Sequence, residues 1–338
     1  MVRHHKHARR RRVAPVLRAG AATVLLGTVT LASASSSRPP VQVAVPMTPL
    51  IVSDPEPSTP PSRSTTPSPE PRSSFSDARR ERLSRALDRY LKGRSGSVTA
   101  AIRDLTGAKA TYTYNPKLRP VTASTVKVDI VIALLLRAQR QHRRLTDTER
   151  SLAERAIKFS DNAATNELWH RIGGGAGLAA ANKKLGLRHT RPGPGDYWGS
   201  TVTSATDQLR VLAALAPGRG PLTASNRRYV LDLMANVTPT QSWGISAAAD
   251  RGDRVALKDG WLPRKPDAGR WTINSIGRLR GDGHDYLIVV LSSNNTSMPD
   301  GITTIEHVTE LVAAAFAKVS RAPSRTPSHA PSGARSDA

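Results

Sequence analysis

Residues 126–136 read VKVDIVIALLL, a run of helical length with apolar side chains on almost every face. A helix of that kind has no side to offer water and must be buried. Ser124 and Lys127 stand three apart at its start and so stack on one face. The N-terminus of the helix brings free backbone N–H groups and the positive end of its dipole to Ser124. A buried amine loses the stabilisation of its charge, so Lys127 is expected to be neutral near physiological pH and to accept a serine proton. Alone, the spacing is a weak signal, because serine and lysine are both common.

The rest of the chain supplies the cover. Ser76 is placed to cap a helix whose Leu83, Leu87, Tyr90 and Leu91 form one stripe, with Gly93 to close it. Strand patterns follow at 97–105 and 110–115. The middle reads as helices: 125–139, a segment opened by a Thr146…Glu149 capping box, then 162–172, 177–185, 205–216 and 224–236. Strand patterns return at 254–259, 270–279 and 285–292. A last amphipathic helix, 302–319, carries Ile305, Val308, Leu311, Val312, Phe316 and Val319 on one side. Periodicity alone gives an α+β chain. Strands at both ends of this block suggest an antiparallel sheet built from both chain ends, flanked by the first and last helices, beside an all-helical lobe.

The flanks are of another kind. Residues 1–34 form a leader: a basic stretch, RHHKHARRRR, an apolar run too short for a comfortable membrane span, and the small-x-small site Ala32-Ser33-Ala34. Export by a cleaved signal peptide is the reading, by a general or a twin-arginine route. Residues 35–75 are rich in Ser, Thr and Pro and read as a disordered or extended linker, and 321–338 as a loose tail. The domain is therefore placed at 76–320. There is no cysteine, which removes disulfides, a catalytic thiol and a lipid-bearing cysteine. The formal charge is +24, of which seven positive charges lie in the leader, leaving +17. The charges are scattered and aromatics are scarce, so nucleic acid is not the expected partner. Anionic wall polymers fit an exported basic chain better.

Two further motifs follow Ser124-Thr125-Val126-Lys127. Ser160-Asp161-Asn162 opens the helix NAATNELWHRI, where all three residues are good N-caps and capping is a sufficient account. Lys258-Asp259-Gly260 ends the β-patterned run RVALKDGW, where Asp-Gly equally suits a hairpin turn. Their order and context are far more specific together than any one alone. His142, His170, His189, His284 and His307 show no metal-ligand spacing. Arg251-Gly252-Asp253 reads as a polar turn. Trp198, Trp243, Trp261 and Trp271 read as core or cleft lining.

From about Ser76 to Val319 the chain resembles the class A β-lactamase-like serine hydrolases of the penicillin-binding protein superfamily, as an actinobacterial-type variant lacking the omega-loop glutamate. The resemblance implies that fold and a set of roles. Ser124 is the nucleophile, Lys127 the general base and Ser160 the relay to the leaving nitrogen. Asn162 orients Lys127 and the substrate, Asp161 is structural, and Lys258 is the cation serving substrate and relay. The backbone N–H groups of Ser124 and Trp261 form the oxyanion hole, and Asp259, Gly260 and Trp261 contact substrate. No cofactor or metal is implied.

Three departures from that family bear on turnover. Where the family carries E-x-x-L-N, this chain has a single acid between His170 and Thr206, Asp196, a possible deacylation acid in RPGPGDYWGS. Asp259 replaces the family's Thr or Ser and would repel a substrate carboxylate unless it points away, towards Arg264 or Lys265. The stretch from Ser124 to Ser160 is short, so a rim of the cleft is missing. The expectation is an exported, monomeric serine hydrolase forming an acyl-enzyme with a β-lactam or related amide, and deacylating slowly. The rivals are a D,D-peptidase or low-turnover penicillin-binding protein acting on peptidoglycan stem peptides, and a catalytically retired wall-associated binding domain.

Overall fold

The computed structural model describes residues 75–106, 110–218 and 220–320. The expected leader, the linker up to residue 74 and the tail from 321 lie outside the described residues. Five strands, β1 (Ser97–Asp104), β2 (Thr111–Tyr114), β3 (Arg254–Pro263), β4 (Trp271–Gly281) and β5 (His284–Asn295), form one antiparallel sheet in the order β2-β1-β5-β4-β3. β5 joins the two ends of the chain, pairing with β1 on one side and β4 on the other. It is buried on both faces, which is why Tyr286–Leu291 reads as a continuous apolar run.

Alternation along β5 feeds two cores. Tyr286, Ile288 and Val290 meet Leu83 and Leu87 of α1 (Asp77–Leu91) and Ile305, Val308, Val312 and Phe316 of α8 (Met298–Ser320). Leu287, Val289 and Leu291 face the helical lobe. That lobe holds α2 (Val126–Arg140), α3 (Asp147–Lys158), α4 (Asn162–Ile172), α5 (Gly174–Lys184), α6 (Ala205–Leu215) and α7 (Ala224–Ala235). Twelve of the fifteen residues of α2 are buried, as its apolar circumference demands.

Local chemistry sets the element ends. At α3 the Glu149 N–H donates to Thr146 Oγ1 at 3.2 Å and the Thr146 N–H donates to Glu149 Oε2 at 2.9 Å, the anticipated capping box. Ser76 caps α1 through its carbonyl, which accepts from the Arg79 and Arg80 N–H groups, and its hydroxyl takes no part. The expected boundary at Ser76 moves by one residue. Phe75 is 2% exposed and stacks on Phe316 with ring centroids 4.4 Å apart, so it belongs to the folded unit and not to the linker.

The turn account of Asp259-Gly260 is corrected. β3 runs straight through both residues to Pro263, paired with β4 along its whole length. Gly260 is there for closeness of approach: a Cβ would lie 2.7 Å from Ser124 N, 2.8 Å from Thr125 N and 2.9 Å from Thr122 O. The edge strand of the sheet is thereby pressed against the start of α2.

Candidate active site

Ser124 lies in a short 3-10 turn, Ala123–Thr125, that feeds directly into α2. Side chains three apart eclipse in such a turn, which keeps Ser124 and Lys127 on one side. The turn is tied from two directions. Asn274 of β4, opposite Gly260 in the ladder, donates from Nδ2 to Val121 O and Thr122 O, both at 2.9 Å. The Thr122 N–H donates to Thr201 O at 2.8 Å, joining the segment that carries Ser124 to the 191–203 loop. Ala123 adopts a left-handed φ of 48° and Ser160 one of 55°, so two of the residues that shape the site hold a backbone state L-residues rarely adopt.

Lys127, Ser160, Asn162 and Lys258 converge. Lys127 Nζ donates to Ser160 O at 2.6 Å, Ser160 Oγ at 3.0 Å and Asn162 Oδ1 at 2.8 Å. Lys258 Nζ donates to the same Ser160 Oγ at 3.1 Å and to Asp259 O at 2.9 Å. Both lysines are 0% exposed. Burial holds the Lys127 amine down to about 6, Lys258's charge pushes the same way, and Asp161 opposes them. Burial also lowers Lys258. A Trp198 ring lies 4.9 Å from Lys127 Nζ, and its Nε1–H donates to Asn166 Oδ1 at 2.9 Å. Asp161 accepts from the Ala164 N–H at 3.0 Å and from Arg155 Nε at 2.8 Å, so it caps α4 and sets the angle at which Asn162 leaves.

The placement of Asp259 corrects the expectation that it touches substrate. Side chains alternate along β3, so with Lys258 turned to the helical lobe Asp259 must face α8. It is 0% exposed. Its Oδ1 accepts from Ser275 Oγ at 2.6 Å and its Oδ2 from the Trp243 N–H at 3.3 Å. Arg264, one of the two expected partners, donates instead to Asp267 at 2.7 Å. Burial pushes the Asp259 carboxyl well above the ordinary carboxylate range. The Asp259 side chain is thus turned away from the cleft, bonded to Ser275 and the Trp243 backbone.

In front of these groups lies an open cleft of about 350 Å³. Ser124, Asn162, Trp261 and Asp196 all line it, with Tyr197 and Trp198. Asp196 is on the rim, its side chain 74% exposed and 4.0 Å from His170 Nδ1. Asn166 and Asn274 were not among the residues singled out from sequence. Asn166 follows Asn162 by four on the same helix face, which was a readable sign; Asn274 lies in a strand that also carries Thr272, Arg278 and Arg280, so its polarity alone did not mark it.

The site thus combines a half-buried serine at the mouth of the cleft, a buried lysine three residues on, a hydroxyl held between two amines, and an edge strand set against Ser124. The beta-lactamase enzyme family matches this chain over residues 147–316, which includes the second and third motifs. The chain belongs to that family. Solved structures with the same fold include a class A beta-lactamase from Bacteroides cellulosilyticus, at a TM-score of 0.62 and 15% identity, covering 71% of this chain and 99% of that one. Another is a point mutant of PBP-A in an acyl-enzyme complex with penicillin G, at 0.60 and 21%, covering 71% and 97%. The "Putative lipoprotein LppW" of Mycobacterium tuberculosis is 29% identical over 147 residues. That match spans 42% of this chain and 46% of the relative, under half of its length.

Proposed function

We propose that this protein is an exported serine acyl-transfer enzyme that takes β-lactams or related amides and releases the acyl group slowly. The observation that carries the reading is the Ser160 hydroxyl, 3.0 Å from Lys127 Nζ and 3.1 Å from Lys258 Nζ, both lysines being fully buried. Neutral Lys127 takes the proton from Ser124 as Oγ bonds to the carbonyl carbon. The backbone N–H groups of Ser124 and Trp261 receive the developing oxyanion. The proton then passes from Lys127 through Ser160 Oγ to the leaving nitrogen, the C–N bond breaks, and Ser124 is left as an ester. Lys258 steadies the relay and the negative end of the substrate. Water must cleave that ester to restore Ser124, and the 191–203 loop holds no carboxylate bonded into the site to activate it.

A D,D-peptidase or low-turnover penicillin-binding role is favoured by the same exposed position of Asp196, since a solvated carboxylate on the rim is a poor water-activating base. A homologue named as a lipoprotein and the leader-like N-terminus support export. Among the described residues no helix is long and apolar enough to cross a membrane.

Intact-protein mass spectrometry with a penicillin and a cephalosporin, followed from seconds to hours, tests this. A persistent adduct that is absent from Ser124→Ala is the expected result. An adduct that decays quickly would make the protein an efficient β-lactam hydrolase. No adduct on folded protein removes the β-lactam reading.

A further inference from the structure

Among the described residues lining the cleft, Asp196 is the one charged side chain, although the chain carries a formal charge of +24. The two lysines of the site are buried and bound to Ser160. Asp196 stands on a fixed turn: the Arg191 N–H and Val202 O bond at 2.9 Å, Gly193 N–H donates to Thr201 Oγ1 at 3.1 Å, and Tyr197 N–H donates to Pro194 O at 3.0 Å. Beside it Tyr197 is 73% exposed, one of two large apolar side chains so placed among the described residues, and Trp198 and Trp261 extend the aromatic wall. An open aromatic face next to a carboxylate with no strong ion-pair partner suits an organic ammonium group.

The direction of the substrate follows from the chemistry. The leaving nitrogen must lie towards Ser160 to receive its proton, so the acyl substituent runs the other way, past Ser124 and along the 196–200 turn. We infer that the cleft selects acyl donors bearing an ammonium group on the acyl side, with Asp196 as its counter-ion and Tyr197 stacked beside it. This rests on the acyl-transfer reading above and deepens it. The substrate class is a zwitterionic amide: its negative end lies at Ser160 and Lys258, its positive end at Asp196.

Three penicillins differing at one carbon isolate this charge: benzylpenicillin, its α-amino derivative ampicillin and its α-carboxy derivative carbenicillin. Their acylation rates are measured on the full chain at about pH 6.5, below the usual α-amino range. The expected order is ampicillin, benzylpenicillin, carbenicillin. At low salt the ends should differ by at least about tenfold, as one opposite and one like charge near 4 Å in water produce, and the spread should shrink at about 0.5 M salt. Asp196→Asn, on an exposed turn that tolerates it, should bring the two charged penicillins within about twofold of each other, since little is left for Coulomb interaction to distinguish. Equal rates in the unaltered protein overturn the inference alone. So does an Asp196→Asn variant that keeps the full order and merely prolongs every adduct, which would assign Asp196 to deacylation. Failure of all three to acylate Ser124 overturns the acyl-transfer reading, and this inference with it.

Discussion

In the proposed reaction the chemistry turns on Lys127, which α2 buries and the Ser160–Asn162 segment surrounds. Three acceptors, Ser160 O, Ser160 Oγ and Asn162 Oδ1, take all three hydrogens of an ammonium. In that state the nitrogen has no lone pair with which to receive the Ser124 proton. With the amine held at about 6 by burial and by Lys258, most of it is neutral at pH 7 and the lone pair is free. Acylation should therefore rise with pH through an apparent midpoint of about 6 and level off above it. The sign is fixed because the deprotonated form is the active one. Lys258→Met removes a like charge and should move the midpoint upward while lowering the plateau. Adduct formation followed across pH checks both, and a profile flat from pH 5 to 8 would exclude Lys127 as the base. Lys127→Arg should be inert at every pH, since an arginine stays protonated.

At the scale of elements, α2 and α6 meet through a second buried acid. Asp129 is 0% exposed, and its Oδ2 accepts from Gln208 Nε2 at 3.1 Å. Asp129 Oδ1 and Gln208 Oε1 have no partner among the described residues. One proton on Asp129 supplies a donor where two acceptors stand bare, which agrees with burial raising this carboxyl to about 7. Between pH 4 and 7 the native state then holds a proton that the unfolded chain has lost, so this group's contribution to stability falls as pH rises through that window and is flat above it. Asp129→Asn replaces the acid O–H with an amide N–H. It should match the parent at about pH 3.5 and exceed it at pH 8 by up to about 4 kcal/mol, as urea denaturation at the two pH values would read. Much of this architecture was legible. The all-round apolar character of residues 126–136, the Thr146…Glu149 box and the split of strands between the chain ends each carry one physical signal, and the structure follows them. The outward turn of Asp259 was legible too, since a strand that points Lys258 into the lobe must point its neighbour away. The reach of Asn274 to the segment before Ser124 and the seat of Trp198 over Lys127 were not, because both join residues distant in sequence through loops whose path no local pattern records.

Across the whole molecule, the described unit is closed by contacts between its two ends. Ser97–Asp104 pairs with Tyr286–Ser293, and α1 and α8 share one core. Phe75 completes that core from the very start of the described chain. It stacks on Phe316, lies 5.9 Å from the Tyr112 ring, and its carbonyl accepts from Arg80 Nε at 3.1 Å. Phe75→Ala should cost about 3 kcal/mol, the usual loss for deleting a buried aromatic ring, and lower the melting temperature by about 6–12 °C. If the ends act as one cooperative unit, the loss will appear as a single shifted transition, and hydrogen exchange will speed up at the β5 amides as well as along α1. A fragment starting at Ser76 should show the same shift as the substitution, whereas one starting at Ser74 should melt with the parent. Unchanged melting of the Ser76 fragment would mean that the core closes without Phe75 and that the domain begins at α1. Faster exchange confined to α1 would mean that the first helix frays alone, leaving the sheet and the cleft beside Ser124 indifferent to where the chain enters.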